Sequence, residues 1–219
     1  MLKPSEHYAH IAGQNPGRLA ALSDGVFAVA MTILVLDFHV PPVKSLLNDA
    51  QLWVALEPLL PRLVIYFLSF LTLGIFWVGQ QTQLNFFART DRMLSWIHLA
   101  FLSIVSLMPF VTALMADYVG REPALIVYWF TILMLGFILL VSWRYARRAG
   151  LIDPAQDSDL LNRAIQSRII VAQFLYATGA LLSLISPWLG LAIIILLQFY
   201  FAFGSPIAAR VAIRDTSLK

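Results

Sequence analysis

The sequence predicts an all-α, polytopic membrane protein with six transmembrane helices and both termini on the cytoplasmic side. Three observations carry this reading. The chain is 60% apolar and only 12% charged, with a mean hydropathy of +0.79, whereas soluble domains have about 45–50% apolar and about 25% charged residues. The few charges are gathered into short segments, and the apolar runs between them reach the ~20 residues a helix needs to cross ~30 Å of hydrocarbon. Lysine and arginine favour alternate connections, which is how membrane proteins fix their orientation.

The first apolar run covers residues 19–38 and stops at the turn signal His39-Val40-Pro41-Pro42. The second covers 53–80 and carries Pro58 and Pro61 in its first turns, where helical N–H groups lack partners in any case. The third covers 94–115, with a kink expected at Pro109, and the fourth covers 123–143. A polar, acidic loop at 151–163 leads to the fifth run, 165–185. Ser186-Pro187 then reverses the chain into the sixth, ending near Val211. The predicted organisation is a cytoplasmic tail of residues 1–17, one membrane domain of 18–212 and a cytoplasmic tail of 213–219. The first residues include Lys3, Glu6, His7 and His10 and lack an apolar h-region, so they do not read as a signal peptide.

With six spans, both termini lie on one side. If that side is the cytoplasm, Lys3, Arg18, Arg89, Arg92, Arg144, Arg147, Arg148, Arg163, Arg168, Arg210, Arg214 and Lys219 all lie inside. Only Lys44, Arg62 and Arg121 lie outside. This asymmetry also accounts for the net charge of +3 and the pI near 9.4 without nucleic acid as a partner. Outside, Asp37, Asp49, Glu57, Asp117 and Glu122 form an acidic rim that would concentrate cations within about a Debye length.

Enzymatic chemistry finds no support. There is no cysteine, hence no thiol nucleophile, disulfide or thiolate metal site. The four histidines, His7, His10, His39 and His98, have no paired-ligand spacing, and neither a nucleophile elbow nor a phosphate-binding glycine loop occurs. No metal or cofactor is expected. A secondary transporter with Asp24 as its proton site is a separate possibility, but the inverted repeats and paired broken helices of such carriers are not found.

The first helix is the unusual one. Ser23 and Asp24 lie a turn or two inside its cytoplasmic end, and a carboxylate at such depth marks either a functional site or a hydrogen-bonded packing lock. At 100° per residue, Val29, Thr32, Ile33 and Leu36 share a face with Gly25, while Phe27, Met31, Leu34 and Phe38 lie opposite. The first face is narrow, with small or branched side chains and one hydroxyl. Periodicity alone favours a helix–helix packing face over a pore, since small residues permit close approach.

The segment Arg18-x-x-x-Leu22-Ser23-Asp24-Gly25 resembles the R-x-x-x-F-S-D signature of the transmembrane protein 175 family of potassium channels, in its bacterial form with a single six-helix repeat. It departs at Leu22, where the family prefers phenylalanine. The following Val-Phe-Ala-Val-Ala-Met-Thr-Ile-Leu-Val-Leu-Asp37 is similar to the family's first helix. Leu107-Met-Pro109-Phe110-Val-Thr112 resembles its L-P-F-P-T stretch. Trp77-Val-Gly-Gln80-Gln81 lies where many members have a tryptophan followed by histidines, so the titratable rings are replaced by amides.

The resemblance implies a potassium-permeable cation channel of the cell membrane, assembled as a homotetramer around four first helices. Rings of Val29, Ile33 with Thr32 beside it, and Leu36 would form an apolar constriction that gates by dewetting. No T-V-G-Y-G filter is present, so selectivity for K⁺ over Na⁺ is expected to be modest. Monovalent cations are the expected permeant species, and a non-selective cation or proton leak differs only in selectivity. Arg18, Ser23, Asp24 and Gly25 would form a network at the cytoplasmic mouth, with Gln80, Gln81, Asn85 and His98 as candidate partners.

Overall fold

The computed structural model describes residues 15–39 and 48–203. Within them the chain forms seven α-helices: α1 (Pro16–Ile33), α2 (Asp49–Leu56), α3 (Leu59–Leu84), α4 (Arg92–Asp117), α5 (Glu122–Arg148), α6 (Asp159–Ser183) and α7 (Pro187–Phe203). A 3₁₀ turn, Leu34–Asp37, extends α1. Including that turn, α1, α3, α4, α5 and α6 are each long and apolar enough to cross a membrane. The described part of α7 has 17 residues, about 26 Å of helix. Its predicted end near Val211 and the tail 213–219 lie outside the described residues. Of the predicted N-terminal tail only residues 15–17 are described. There Asn15 accepts from the Gly17 N–H at 2.8 Å, and Pro16 opens α1 two residues earlier than expected.

The other boundaries follow the same local chemistry. Asp91 caps α4 by accepting from Leu94 N–H at 2.7 Å, and Ser158 caps α6 through Leu161 N–H at 3.1 Å. Gly150, at φ 63°, directly follows the C-cap of α5, and Gly120, at φ 78°, turns the chain between α4 and α5, both in the left-handed region that glycine adopts without a Cβ penalty. The expected second span differs. Residues 49–56 form a separate short helix, because Pro58 cannot donate to a carbonyl one turn back and the helical ladder restarts at Leu59, with Pro61 in the first turn of α3. The α4 helix runs on through Pro109 to Asp117.

Helices α4 and α5 form the centre. α1 and α3 pack on α4, and α6 and α7 follow α5, with α7 also reaching α3. The core joins Phe27, Leu73, Phe101, Val105, Ile132 and Ile194. At the arginine-rich end, the α3–α4 and α5–α6 corners are tied together. Ala88 N–H donates to Leu151 O and Asp153 N–H to Phe86 O, both at 2.9 Å. Tyr145 OH donates to Asp91 at 2.6 Å. At the other end Arg62 of α3 bridges Asp37 and Asp117, at 3.2 Å to the former.

Candidate functional site: the first helix and its polar anchors

The heptad-scale spacing of α1 places Phe27, Ala30 and Leu34 against the rest of the subunit, 2%, 3% and 2% exposed. On the face that includes Gly25, Val29, Ile33 and Leu36 are 56%, 42% and 69% exposed. Thr32 is exposed there too, and its hydroxyl donates back to Ala28 O and Val29 O at 2.9 Å. The opposite-face residues Met31 and Phe38 are half-buried. The 3₁₀ turn changes one detail of the predicted stripe. In a 3₁₀ helix residues i and i+3 eclipse, so Leu36 stacks over Ile33 instead of lying between Ile33 and Thr32. The uncovered face borders an open groove of about 480 Å³ between α1 and α4, lined by Gly25, Val29, Ile33, Ser106 and Pro109 among others.

At the other end of α1 the signature residues meet α3. Ser23 is buried. Its hydroxyl donates to Leu19 O at 2.9 Å and accepts from Gln80 Nε2 at 2.8 Å. Asp24 Oδ1 accepts from Gln81 Nε2 at 2.6 Å and from Trp77 Nε1 at 2.8 Å. One carboxylate oxygen thus takes two side-chain donors one helical turn apart on α3. Gly25 has no side-chain or backbone neighbour within 4 Å of where a Cβ would lie, and it opens onto the groove.

Of the candidate partners, the structure brings Gln80 and Gln81 to Ser23 and Asp24. No hydrogen bond joins Asn85 or His98 to either among the described residues. Asn85 ends α3, a turn beyond Gln81, with its backbone N–H donating to Gln81 O at 3.0 Å. His98 is buried on α4, its Nδ1 3.1 Å from Leu94 O and its ring edge-on to Phe87. Arg18 also stands apart from the carboxylate. Six residues separate it from Asp24, which turns it by about 120° on the helix and aligns it with Gly25 on the uncovered face. Trp77 was missed as a partner, although its position four residues before Gln81 puts it on the same face of α3. Also missed was the Arg62–Asp37–Asp117 cluster, which compensates two carboxylates of the expected acidic rim.

Comparison with known proteins identifies the fold and the family together. The family profile described as the endosomal/lysosomal potassium channel TMEM175 matches residues 18–109, which include both the signature and its α3 partners. A potassium channel of Streptomyces collinus is 34% identical over 202 residues, covering 90% of this chain and 96% of that protein. A potassium channel of Chamaesiphon minutus is 33% identical over 193 residues, covering 86% and 94%. The crystal structure of a lysosomal potassium-selective channel TMEM175 homolog from Chamaesiphon minutus superposes with a TM-score of 0.72 at 30% identity, covering 85% of this chain and 96% of that one. The chain is a multi-pass α-helical membrane protein and belongs to the TMEM175 channel family.

Proposed function

We propose that this protein is a potassium-permeable cation channel of the cell membrane. In this reading it is a homotetramer with cytoplasmic termini, and its pore is lined by α1. The observation that carries the reading is the divided burial of α1: Phe27, Ala30 and Leu34 are packed away while Val29, Thr32, Ile33 and Leu36 are left open. Lipid alone gives no reason for a stripe of small and branched residues beside a groove, whereas close approach of a second helix does. The groove between α1 and α4 receives the neighbouring copy, and four uncovered faces meet on the axis.

Ile33 and Leu36, stacked by the 3₁₀ turn, form the narrowest apolar ring, with Val29 one turn below. A narrow apolar neck excludes water and gates by dewetting. K⁺ passes more readily than Na⁺ because the larger ion gives up its hydration at lower cost, so discrimination is modest. Thr32 spends its hydroxyl hydrogen on its own helix, which leaves oxygen lone pairs toward the axis as a weak cation contact. Ser23 and Asp24 hold α1 against α3 and do not themselves select ions.

The test is ion flux through purified protein in liposomes under K⁺, Na⁺ and H⁺ gradients, for wild type and Leu36→Ala. K⁺ flux above Na⁺ flux, raised by the substitution, supports the apolar neck. Equal fluxes identify a non-selective leak, and proton-coupled uptake without K⁺ flux identifies a transporter. A monomeric mass in mild detergent and in lipid discs refutes the tetramer.

A further inference from the structure

Beyond the first helix, a half-buried basic residue lines the space between helices without a partner among the described residues. Arg168 lies on α6 and is the last charge before an uncharged stretch that runs through residue 203. It lies nine residues, about 14 Å, from the start of α6. Among the described residues it forms no ion pair and no hydrogen bond. Near the end of a span a long arginine side chain reaches toward the headgroup layer, and one left without a protein partner is available to an anionic group there.

Two apolar spaces meet at Arg168. One is a cavity of about 90 Å³ between α3, α5, α6 and α7, the other an open cleft of about 380 Å³ running along α3 past Leu71, Gly74 and Val78. Ile75 and Phe201 line both. The cavity also holds unused hydrogen-bonding capacity. Gln83 is buried and Gln173 partly so, and the side-chain carbonyl oxygen of each lacks a partner. A long apolar slot ending at a lone guanidinium complements one kind of occupant. Phosphate accepts paired N–H donors from arginine, and basic pockets between helices on the cytoplasmic side bind lipid headgroups.

We propose that the cleft between α3 and the α6–α7 pair is a phospholipid site, with the phosphate on Arg168 and an acyl chain laid along α3 past Gly74. A free anion would satisfy the guanidinium but leave the apolar slot unfilled. The slot therefore favours lipid.

The experiment is native mass spectrometry of the purified full-length protein, stripped of lipid in detergent and titrated with phosphatidylglycerol or phosphatidylcholine. Wild type should take up a single tight lipid per subunit and prefer the anionic one. Arg168→Gln should weaken phosphatidylglycerol binding roughly tenfold, the loss of a charge-assisted contact, and Arg168→Lys should restore part of it. Gly74→Leu tests the slot with the guanidinium intact, since a Cβ at Gly74 meets no atom within 4 Å and the longer side chain projects into open space. Should Arg168→Gln fail to elute as wild type does, Gly74→Leu still decides the question. Equal binding by wild type and both variants overturns the proposal. So does displacement of the lipid by inorganic phosphate, which would identify a simple anion site. Lipid uptake appearing only after removal of residues 204–219 overturns it too, because the chain's own C-terminal segment would then be the occupant.

Discussion

Removing the Asp24 side chain should cost stability through two defined contacts. Its Oδ1 accepts from Gln81 Nε2 at 2.6 Å and Trp77 Nε1 at 2.8 Å. Hydrogen bonds to a charged group contribute about 1.5–3 kcal/mol when shielded from solvent. Asp24 and Trp77 are exposed within one subunit, so each contact contributes about 1 kcal/mol in an isolated chain. Asp24→Ala should therefore destabilise by about 2 kcal/mol. Asp24→Asn, which keeps an acceptor oxygen but loses the charge, should cost about half of that. The assay is a double-mutant cycle between Asp24→Ala and Gln81→Ala, read by thermal unfolding in detergent, where 1 kcal/mol corresponds to about 2–4 °C for a chain of this size. The two changes should be coupled by about 1 kcal/mol. Independent sites add to within about 0.3–0.5 kcal/mol, so additivity would refute the contact. The same variants should lower the fraction of assembled channel and the flux in liposomes, because α1 would be seated less firmly on α3.

Three further outcomes are expected. Gly179→Ala should destabilise by about 1–3 kcal/mol without altering ion selectivity. The added methyl would overlap the buried Trp129 ring and lie 3.0 Å from Ile193 Cγ2, and unfolding midpoints together with flux ratios separate the two effects. Thr72→Val should cost about 1–3 kcal/mol, because the Thr72 hydroxyl accepts from Gln198 Nε2 at 2.7 Å and lies 2.8 Å from Tyr128 OH, and both partners would be stranded in the core. Thermal melts of Thr72→Val and Thr72→Ser distinguish lost hydrogen bonds from lost volume. Arg62→Met should lower the melting midpoint at low salt and do so less at high salt, since Arg62, Asp37 and Asp117 are all part-exposed.

The five long spans were legible because hydrocarbon thickness imposes one length on every crossing, and their caps obey local chemistry at Asn15, Asp91 and Ser158. The division of the second run into α2 and α3 was not read, although Pro58 and Pro61 were noted. Pro58 removes a ladder bond from within the run and stands at the break, whereas Pro61 falls in the first turn of α3, where a proline is tolerated. Helical periodicity grouped Val29, Thr32, Ile33 and Leu36 on one face of α1, and that face is exposed in the structure, but periodicity did not say which face the rest of the subunit would cover. It did not foresee the 3₁₀ turn, since nothing in Leu34-Val-Leu-Asp37 marks a tightening. Contacts between distant segments were legible only where the family pattern pointed. Gln80 and Gln81 were named, but Arg62 with Asp37 and Asp117 joins positions 25 and 55 residues apart, and Gln198 with Thr72 spans 126. Such pairs depend on which helices become neighbours, which local spacing does not encode. The family shows the chain to be a channel protein, while the pore-facing roles of Val29, Thr32, Ile33 and Leu36 are a proposal to be tested by flux.

The two anchorages of α1 restrict how a pore built on it changes bore. Asp24 fastens the helix to α3 near one end and Asp37 fastens it near the other, 13 residues on, about 20 Å along the axis. A rod pinned at both ends cannot slide lengthwise like a piston past its neighbour. The remaining freedoms are bowing of the span between the pins and rotameric swings of Val29, Ile33 and Leu36. In the proposed channel, opening of the neck would then be a change over a single turn or two of helix, with the remaining helices of each subunit held in place around it.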